Sequence, residues 1–116
     1  MELRTEVTSD GIKVITLSGR MDIAGTNLIH ESFATAVGAE KALVVVDLSD
    51  VAFLASIGMR TLVYGARALL AVGGAMALAN PQRSVREALA STGVDSLTPV
   101  YPGVDSARLA LLALHR

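Results

Sequence analysis

The sequence predicts an α/β domain whose mixed sheet has an N-terminal antiparallel hairpin and otherwise parallel strands. Three observations lead to this prediction. Alternating apolar and polar residues on both sides of Ser9-Asp10-Gly11 are typical of two strands joined by a tight turn. The run Ala-Leu-Val-Val-Val at 42–46 is short and rich in β-branched residues, as in a central parallel strand. Beyond this run, strand and helix patterns alternate, which favours parallel strands joined by right-handed crossovers.

Each element has its own local pattern, and together they predict four to five strands and about four helices in a single domain, 1–116. Strands are predicted at 3–8, 12–17, 42–46 and 75–79, with a weak fifth at 97–101. Helices are predicted at 22–37, 57–72, 81–92 and 105–114. Asp47 to Asp50 are expected to end the third strand and begin a loop.

The first predicted helix has a clear apolar stripe, but its start is open. Its apolar stripe contains residues 28, 29, 36 and 37, which are Leu, Ile, Ala and Val, with Phe33 near the edge of the stripe. Its start is less defined, because Asp22, Thr26 or Asn27 could each act as the N-cap.

Composition excludes several classes of function. The 116 residues are 52% hydrophobic and 18% charged, so the chain can bury a core. A net charge of −1 and an aromatic content of 3% argue against nucleic acid as a partner. The absence of cysteine excludes disulfides, a thiol nucleophile and a cysteine-ligated zinc site. The two histidines, His30 and His115, are too far apart for the zinc-protease spacing, and we expect no metal or cofactor.

One apolar stretch resembles a membrane span, and we predict that it is not one. Thr61 to Ala79 would place Arg67 near the bilayer centre, where a charge is costly. Gly73-Gly74 also divides the stretch into a helix-length piece and a strand-length piece. The first residues contain no basic and apolar regions typical of a signal peptide, so a cytoplasmic location without membrane insertion is expected.

Motifs for enzymatic chemistry are few. The sequence contains no glycine-rich dinucleotide motif, no phosphate-binding loop and no Gly-x-Ser-x-Gly elbow. Asp47 and Asp50 follow a predicted parallel strand, where paired carboxylates could bind Mg²⁺. The alternative is that they solvate and cap a loop. We expect no catalytic residue.

Ser56 is the most informative polar residue, because it lies at the predicted start of the second helix. One interpretation is structural: the hydroxyl accepts a hydrogen bond from a first-turn N–H as an N-cap. The other is functional: a phosphate on Ser56 would find free N–H donors and the positive end of the helix dipole. Such a phosphate would add about −1.5 to −2 charge to a nearly apolar segment.

Two motifs resemble the STAS domain, in particular bacterial anti-sigma factor antagonists. Residues 17–22, Leu-Ser-Gly-Arg-Met-Asp, are similar to the family motif after its second strand. Residues 46–60 resemble the family's strand, loop and phosphorylation switch. The sequence departs from the common pattern at Arg20, Ala55 and Ile57, where the family more often has glutamate, aspartate and serine or threonine.

The resemblance implies a regulator switched by phosphorylation. It implies that Ser56 is phosphorylated by a cognate anti-sigma factor serine kinase, that Gly58 lets the helix start close to the partner, and that Asp22 lies in the neighbouring loop. The unphosphorylated chain would bind the anti-sigma factor and release a sigma factor for transcription, and a metal-dependent phosphatase would reset it. The alternative is a STAS subunit of an ABC-type lipid transport complex, or a scaffold that is never phosphorylated.

The predicted topology places the candidate residues on one surface. The loops after the second and third strands open at the same end of the sheet, so Asp22, Ser56, Met59 and Arg60 are expected to form a partner-binding cluster. Met59 also fits the apolar stripe of its helix and could instead point into the core. We expect Ser56 to be at least partly exposed, with Phe53 and Leu54 partly buried as anchors of the loop.

Overall fold

The structure, a computed structural model, describes residues 1–115 and has the predicted α/β architecture. Five strands form one sheet in the order β1-β2-β3-β4-β5: β1 Glu2–Val7, β2 Lys13–Met21, β3 Leu43–Leu54, β4 Ala75–Ala79 and β5 Val100–Tyr101. Five helices lie within the same range: α1 Ile23–Val37, α2 Ser56–Ala71, α3 Arg83–Ser91, α4 Val94–Leu97 and α5 Val104–Leu114. The mixed sheet is therefore confirmed.

The hairpin at the N-terminus is antiparallel, and all later strand pairs are parallel. Its turn closes where the Thr8 N–H donates to the Ile12 carbonyl at 2.8 Å. Gly11 adopts a positive φ of 85° there, which glycine tolerates without strain. Asp-Gly thus does what the sequence pattern predicts.

Helices cover both faces of the sheet. On one face α1, α2 and α3 pack against alternate residues of β2 and β3, such as Ile15, Leu17 and Val46. On the other face α5 packs through Ala107 and Leu111 against a smaller cluster. Because β3 is central, Val44, Val45 and Val46 are all fully buried. This burial on two faces explains the continuous apolar run in the sequence.

The prediction that β3 ends near Val46 is wrong, because the strand continues to Leu54. Its second half pairs with the long β2, where Thr16 lies opposite Asp47 and Ser18 opposite Asp50. Two register shifts interrupt this pairing. Turn-type residues were expected to end the strand, but hydrogen bonding to β2 outweighs their local preference.

Other differences concern helix faces and ends. Residues spaced by four form the buried face of α1, namely Ile29, Phe33 and Val37, whereas Leu28 is exposed. Phe33 is thus central to the stripe and not at its edge. The helix predicted at 81–92 is α3, Arg83–Ser91, which begins two residues after Pro81. The short α4 has no counterpart among the predicted helices, and β5 has only two residues.

The apolar stretch at 61–79 is divided as predicted. Helix α2 ends at Ala71, and Gly73 turns the chain with a φ of 85° into the buried strand β4. Within residues 1–115, no helix is both long and apolar enough to span a bilayer.

Candidate functional site

The carboxyl ends of β2 and β3 bring the two candidate loops together. Met21 and Leu54 lie opposite each other in the pairing, and the Ala55 N–H donates to the Met21 carbonyl at 3.0 Å. Asp22 directly follows β2, and Ser56 lies two residues after the end of β3, so both lie at this end of the sheet. We refer to Arg20, Asp22, Phe53 and Ser56, with the backbone that joins them, as the candidate surface.

Ser56 is exposed and is the first residue of α2, so the predicted position at a helix start is confirmed. It is not the N-cap. That position belongs to Ala55, whose carbonyl accepts the Met59 N–H at 3.1 Å, and no side chain caps the helix. Because β3 extends to Leu54, only one residue connects it to α2, and the helix begins one residue earlier than predicted. The Ser56 hydroxyl is thus not engaged in capping α2.

Asp22 is the side-chain cap of α1. Its Oδ1 accepts the Gly25 N–H at 2.8 Å, which satisfies a first-turn donor. Its Oδ2 lies 3.6 Å from Arg20 Nε, and both side chains are substantially exposed. Among the three possible caps, the structure selects Asp22. The residue therefore supports the fold as well as contributing charge to the candidate surface.

Phe53 does not anchor the loop as predicted, because 40% of it is exposed. The Arg20 guanidinium carbon lies 4.5 Å from the centre of its ring, within the range of a cation–π contact. Register shifts explain the outward position: Val51 and Leu54 both point inward, three residues apart, and leave Phe53 outside. Leu54 is buried, as expected of an anchor.

Gly58 is buried beneath the start of α2. A Cβ at this position would lie 2.8 Å from both Met21 Cβ and Leu54 Cδ1. Only a residue without a side chain allows α2 to approach the strands this closely. Gly58 thus fixes where the helix starts, and it offers no accessible side chain to a partner.

Met59 and Arg60 lie on different sides of α2. Met59 is partly buried against the main core, and its Sδ accepts the Thr92 hydroxyl at 3.3 Å. Arg60 is exposed and faces the first turns of α1, where it lines a depression with Thr26 and Asn27. The predicted cluster is thus only partly formed: Asp22 and Ser56 share one end of the sheet, and Met59 turns towards the core.

The paired carboxylates do not lie where the sequence predicts. Asp47 and Asp50 lie within β3, not at its carboxyl end, and Asp47 Oδ1 accepts the Ser49 N–H at 3.0 Å. Among residues 1–115, no group of three histidine, aspartate or glutamate side chains is placed to hold a metal ion.

The stacking of Arg20 on Phe53 is the feature that sequence reasoning missed. The two residues are 33 positions apart, and only the shifted register of the β2–β3 pairing places them side by side. A local pattern contains no signal for this contact.

Comparisons with known proteins agree with this geometry. The model of the STAS domain family matches residues 5–107. The structure of an anti-sigma factor antagonist from Mycobacterium paratuberculosis is similar, with a TM-score of 0.81 and 28% identity over 95% of this chain and 94% of that one. An anti-sigma-factor antagonist (STAS) domain protein from Planctomyces limnophilus has a TM-score of 0.84 and 26% identity over 94% and 96%.

The Bacillus protein SpoIIAA shares the fold at lower identity. Its phosphorylated form has a TM-score of 0.68 and 22% identity over 94% of this chain and 99% of that one. The unphosphorylated form of the anti-sigma factor antagonist SpoIIAA has a TM-score of 0.73 and 22% identity over 90% and 92%. No curated protein matches the chain by sequence.

Proposed function

The chain belongs to the STAS domain family, and from this premise we propose that it acts as an anti-sigma factor antagonist. In this proposal it binds an anti-sigma factor serine kinase in the cytoplasm and thereby frees a sigma factor for transcription. The kinase phosphorylates Ser56 with ATP and ends the interaction, and a metal-dependent phosphatase reverses the modification. The chain is a ligand and a substrate, not a catalyst. The observation that carries the proposal is the exposed Ser56 at a helix start without a side-chain cap.

The helix start suits a phosphate for electrostatic reasons. The first-turn N–H groups of α2 and the positive end of its dipole favour an anion at Ser56. Arg60 lies four residues further along the same helix, where side chains are neighbours. The phosphate would add about −1.5 to −2 charge without displacing any buried group. The modification is therefore expected to change the surface and to preserve the fold.

The candidate surface has the composition of a protein interface. Interfaces are enriched in aromatic residues and arginine, and Phe53 and Arg20 present both in contact with each other. Ile23, at the start of α1, adds an apolar side chain that is 69% exposed. A negative charge at Ser56 beside this surface would repel an acidic partner surface and would be costly to bury against an apolar one. This arrangement supports a switch of binding at the β2–β3 end.

Binding to the anti-sigma factor kinase encoded in the same genome tests the proposal. We expect Ser56→Ala to bind like the wild type and to accept no phosphate, whereas Ser56→Asp binds more weakly. True phosphorylation should have the larger effect, because aspartate has less charge and fewer acceptor oxygens. Ser32→Asp is the matched control, since Ser32 is an exposed serine of α1 away from the candidate surface.

Two outcomes would overturn the proposal. If Ser32→Asp weakens binding as much as Ser56→Asp, the effect is one of net charge and not of the candidate surface. If the chain co-purifies with transporter subunits and tolerates Ser56→Asp, the alternative of a STAS subunit in a lipid transport complex replaces the antagonist.

A further inference from the structure

A groove between α1 and α2 lies beside the candidate surface and has two chemically different ends. The apolar end is a cavity of about 310 Å³ whose lining includes Phe33, Val37 and Ala68. The polar end is an adjoining cavity of about 230 Å³ whose lining includes Thr26, Asn27 and Arg60. His30, Thr61 and Tyr64 line both cavities, so the two lie side by side along the helices.

The apolar end has a rigid floor. Phe33 and Val37 are almost completely buried in the core, and they reach the groove from below. Gly65 lines the same end, and a Cβ there would lie 2.9 Å from Phe33 Cε2. A preformed apolar trough of this kind suits a hydrocarbon group, because burial of apolar surface is favourable and no rearrangement is needed.

The polar end is positively charged. Arg60 has no ion-pair partner within residues 1–115, and α2 contains no acidic residue. Glu31 is the only acid of α1, and it lines a different depression together with Lys13. His30 adds a second nitrogen donor to the groove. Asp22 caps α1 four residues before Thr26, but it lines neither cavity. An anion at this end would therefore meet cationic and neutral donors, and no carboxylate belongs to the lining of the groove.

Thr26 provides a second, independent observation at the polar end. The residue is 1% exposed, and its Oγ1 has no hydrogen-bond partner among the described residues. A buried hydroxyl without a partner is unusual, because the missing hydrogen bond costs stability. Thr61 differs, since its hydroxyl donates to the Ile57 carbonyl at 3.2 Å. A ligand oxygen at this end would give Thr26 the acceptor that the protein does not supply.

We propose that this groove binds a free amphipathic monocarboxylate with a linear alkyl chain. The carboxylate lies against Arg60 and Thr26, and the alkyl chain lies over Phe33 and Val37. Thr26 and Val37 are eleven residues apart on α1, which spans about 16 Å at 1.5 Å per residue. The groove is thus long enough for a medium-length chain. This proposal does not depend on the function proposed above.

A negative charge at position 56 is expected to weaken binding in the groove. Since Ser56 and Arg60 are four residues apart on α2, an acid at position 56 would compete for the Arg60 guanidinium. We therefore expect Ser56→Asp to weaken binding of the carboxylate even when no kinase is present.

Titration of the full chain with octanoate, followed by calorimetry and by NMR chemical shifts, tests the proposal. Octanoate should shift the amide signals of α1 and α2 along the groove, 1-octanol should bind more weakly, and acetate should not bind. Arg60→Gln should weaken octanoate binding about two- to fivefold, as expected for an exposed ion pair. Arg67→Gln is the matched control, because it removes the same charge from α2 outside the groove lining.

A blocked groove gives an independent readout. Ala68→Phe should abolish binding of octanoate and of 1-octanol, and Ala34→Leu serves the same purpose if the first variant unfolds. The proposal is wrong if octanoate and 1-octanol bind equally well, or if Arg67→Gln has the effect expected of Arg60→Gln. It is also wrong if the shifted signals lie outside the groove, or if a second copy of the chain covers the groove in solution.

Discussion

Asp22 combines two roles that a pair of substitutions separates. Its Oδ1 caps α1 through the Gly25 N–H at 2.8 Å, and its Oδ2 lies 3.6 Å from Arg20 Nε. Asparagine caps a helix about as well as aspartate but has no charge, whereas alanine removes both functions. The stability difference between Asp22→Asn and Asp22→Ala therefore measures the cap alone.

The expected size of this difference follows from the chain length. Loss of an N-cap costs about 0.5–2 kcal/mol, typically about 1. With about 2.1 cal/mol/K per residue, 116 residues give an unfolding entropy of about 0.24 kcal/mol/K. Asp22→Ala should then melt about 2–8 °C below Asp22→Asn. The ion pair with Arg20 is lost in both variants, so it does not enter this difference.

Scanning calorimetry on both variants and the wild type measures this difference, and urea unfolding with an unchanged m-value confirms that it is one of stability. The same variants separate fold from recognition: Asp22→Asn should weaken partner binding while the protein stays nearly as stable as the wild type. Equal melting temperatures for Asp22→Asn and Asp22→Ala would refute the assignment of Asp22 as a stabilising cap. Charge reversal at Asp22 is a poorer test of recognition, because it also removes the cap of α1.

Three further predictions concern stability. Gly58→Ala should lower the free energy of unfolding by about 1–3 kcal/mol through overpacking. Gly103→Ala should lower it less, because a Cβ there would contact nothing within 4 Å. Urea unfolding that ranks the two variants in reverse would contradict the close packing of α2. Ser56→Ala should change the free energy of unfolding, measured by calorimetry, by less than about 0.5 kcal/mol, because Ser56 is not the N-cap of α2. A larger loss would indicate that Ser56 caps the helix. Hydrogen bonds from Thr8 and then from Arg108, with the Arg108 charge, lower the pKa of Asp10. The stabilising contribution of Asp10 relative to Asp10→Asn is therefore present above about pH 4 and is lost as the pH falls through the lowered pKa. Urea unfolding that shows a loss between about pH 8 and 5 would contradict this.

The sequence was sufficient where one element determines its own structure. Asp-Gly determined the hairpin, and the apolar, valine-rich run at 42–46 identified the central strand, because both signals act over a few residues. The helix start at Ser56 was correct within one residue. These features depend on local turn geometry and on burial of one continuous run.

The errors arose where a distant strand decides the outcome. Asp47 and Ser49 have turn-forming side chains, yet pairing with β2 keeps them in β3. The same pairing, with its register shifts, turned Phe53 outward against Arg20 and shortened the connection before Ser56. Since strand register is set by partners about 30 residues away, no window along the chain could have revealed the contact between Arg20 and Phe53.

The most direct test of the proposed function compares the affinity of the anti-sigma factor kinase for the unmodified chain and for the chain phosphorylated in vitro, with the site identified by mass spectrometry. We expect that ATP and the kinase place one phosphate on Ser56 and that binding weakens about tenfold or more, as is typical when a charge enters an interface. Equal affinities for the two forms, or a phosphate on another residue, would contradict it.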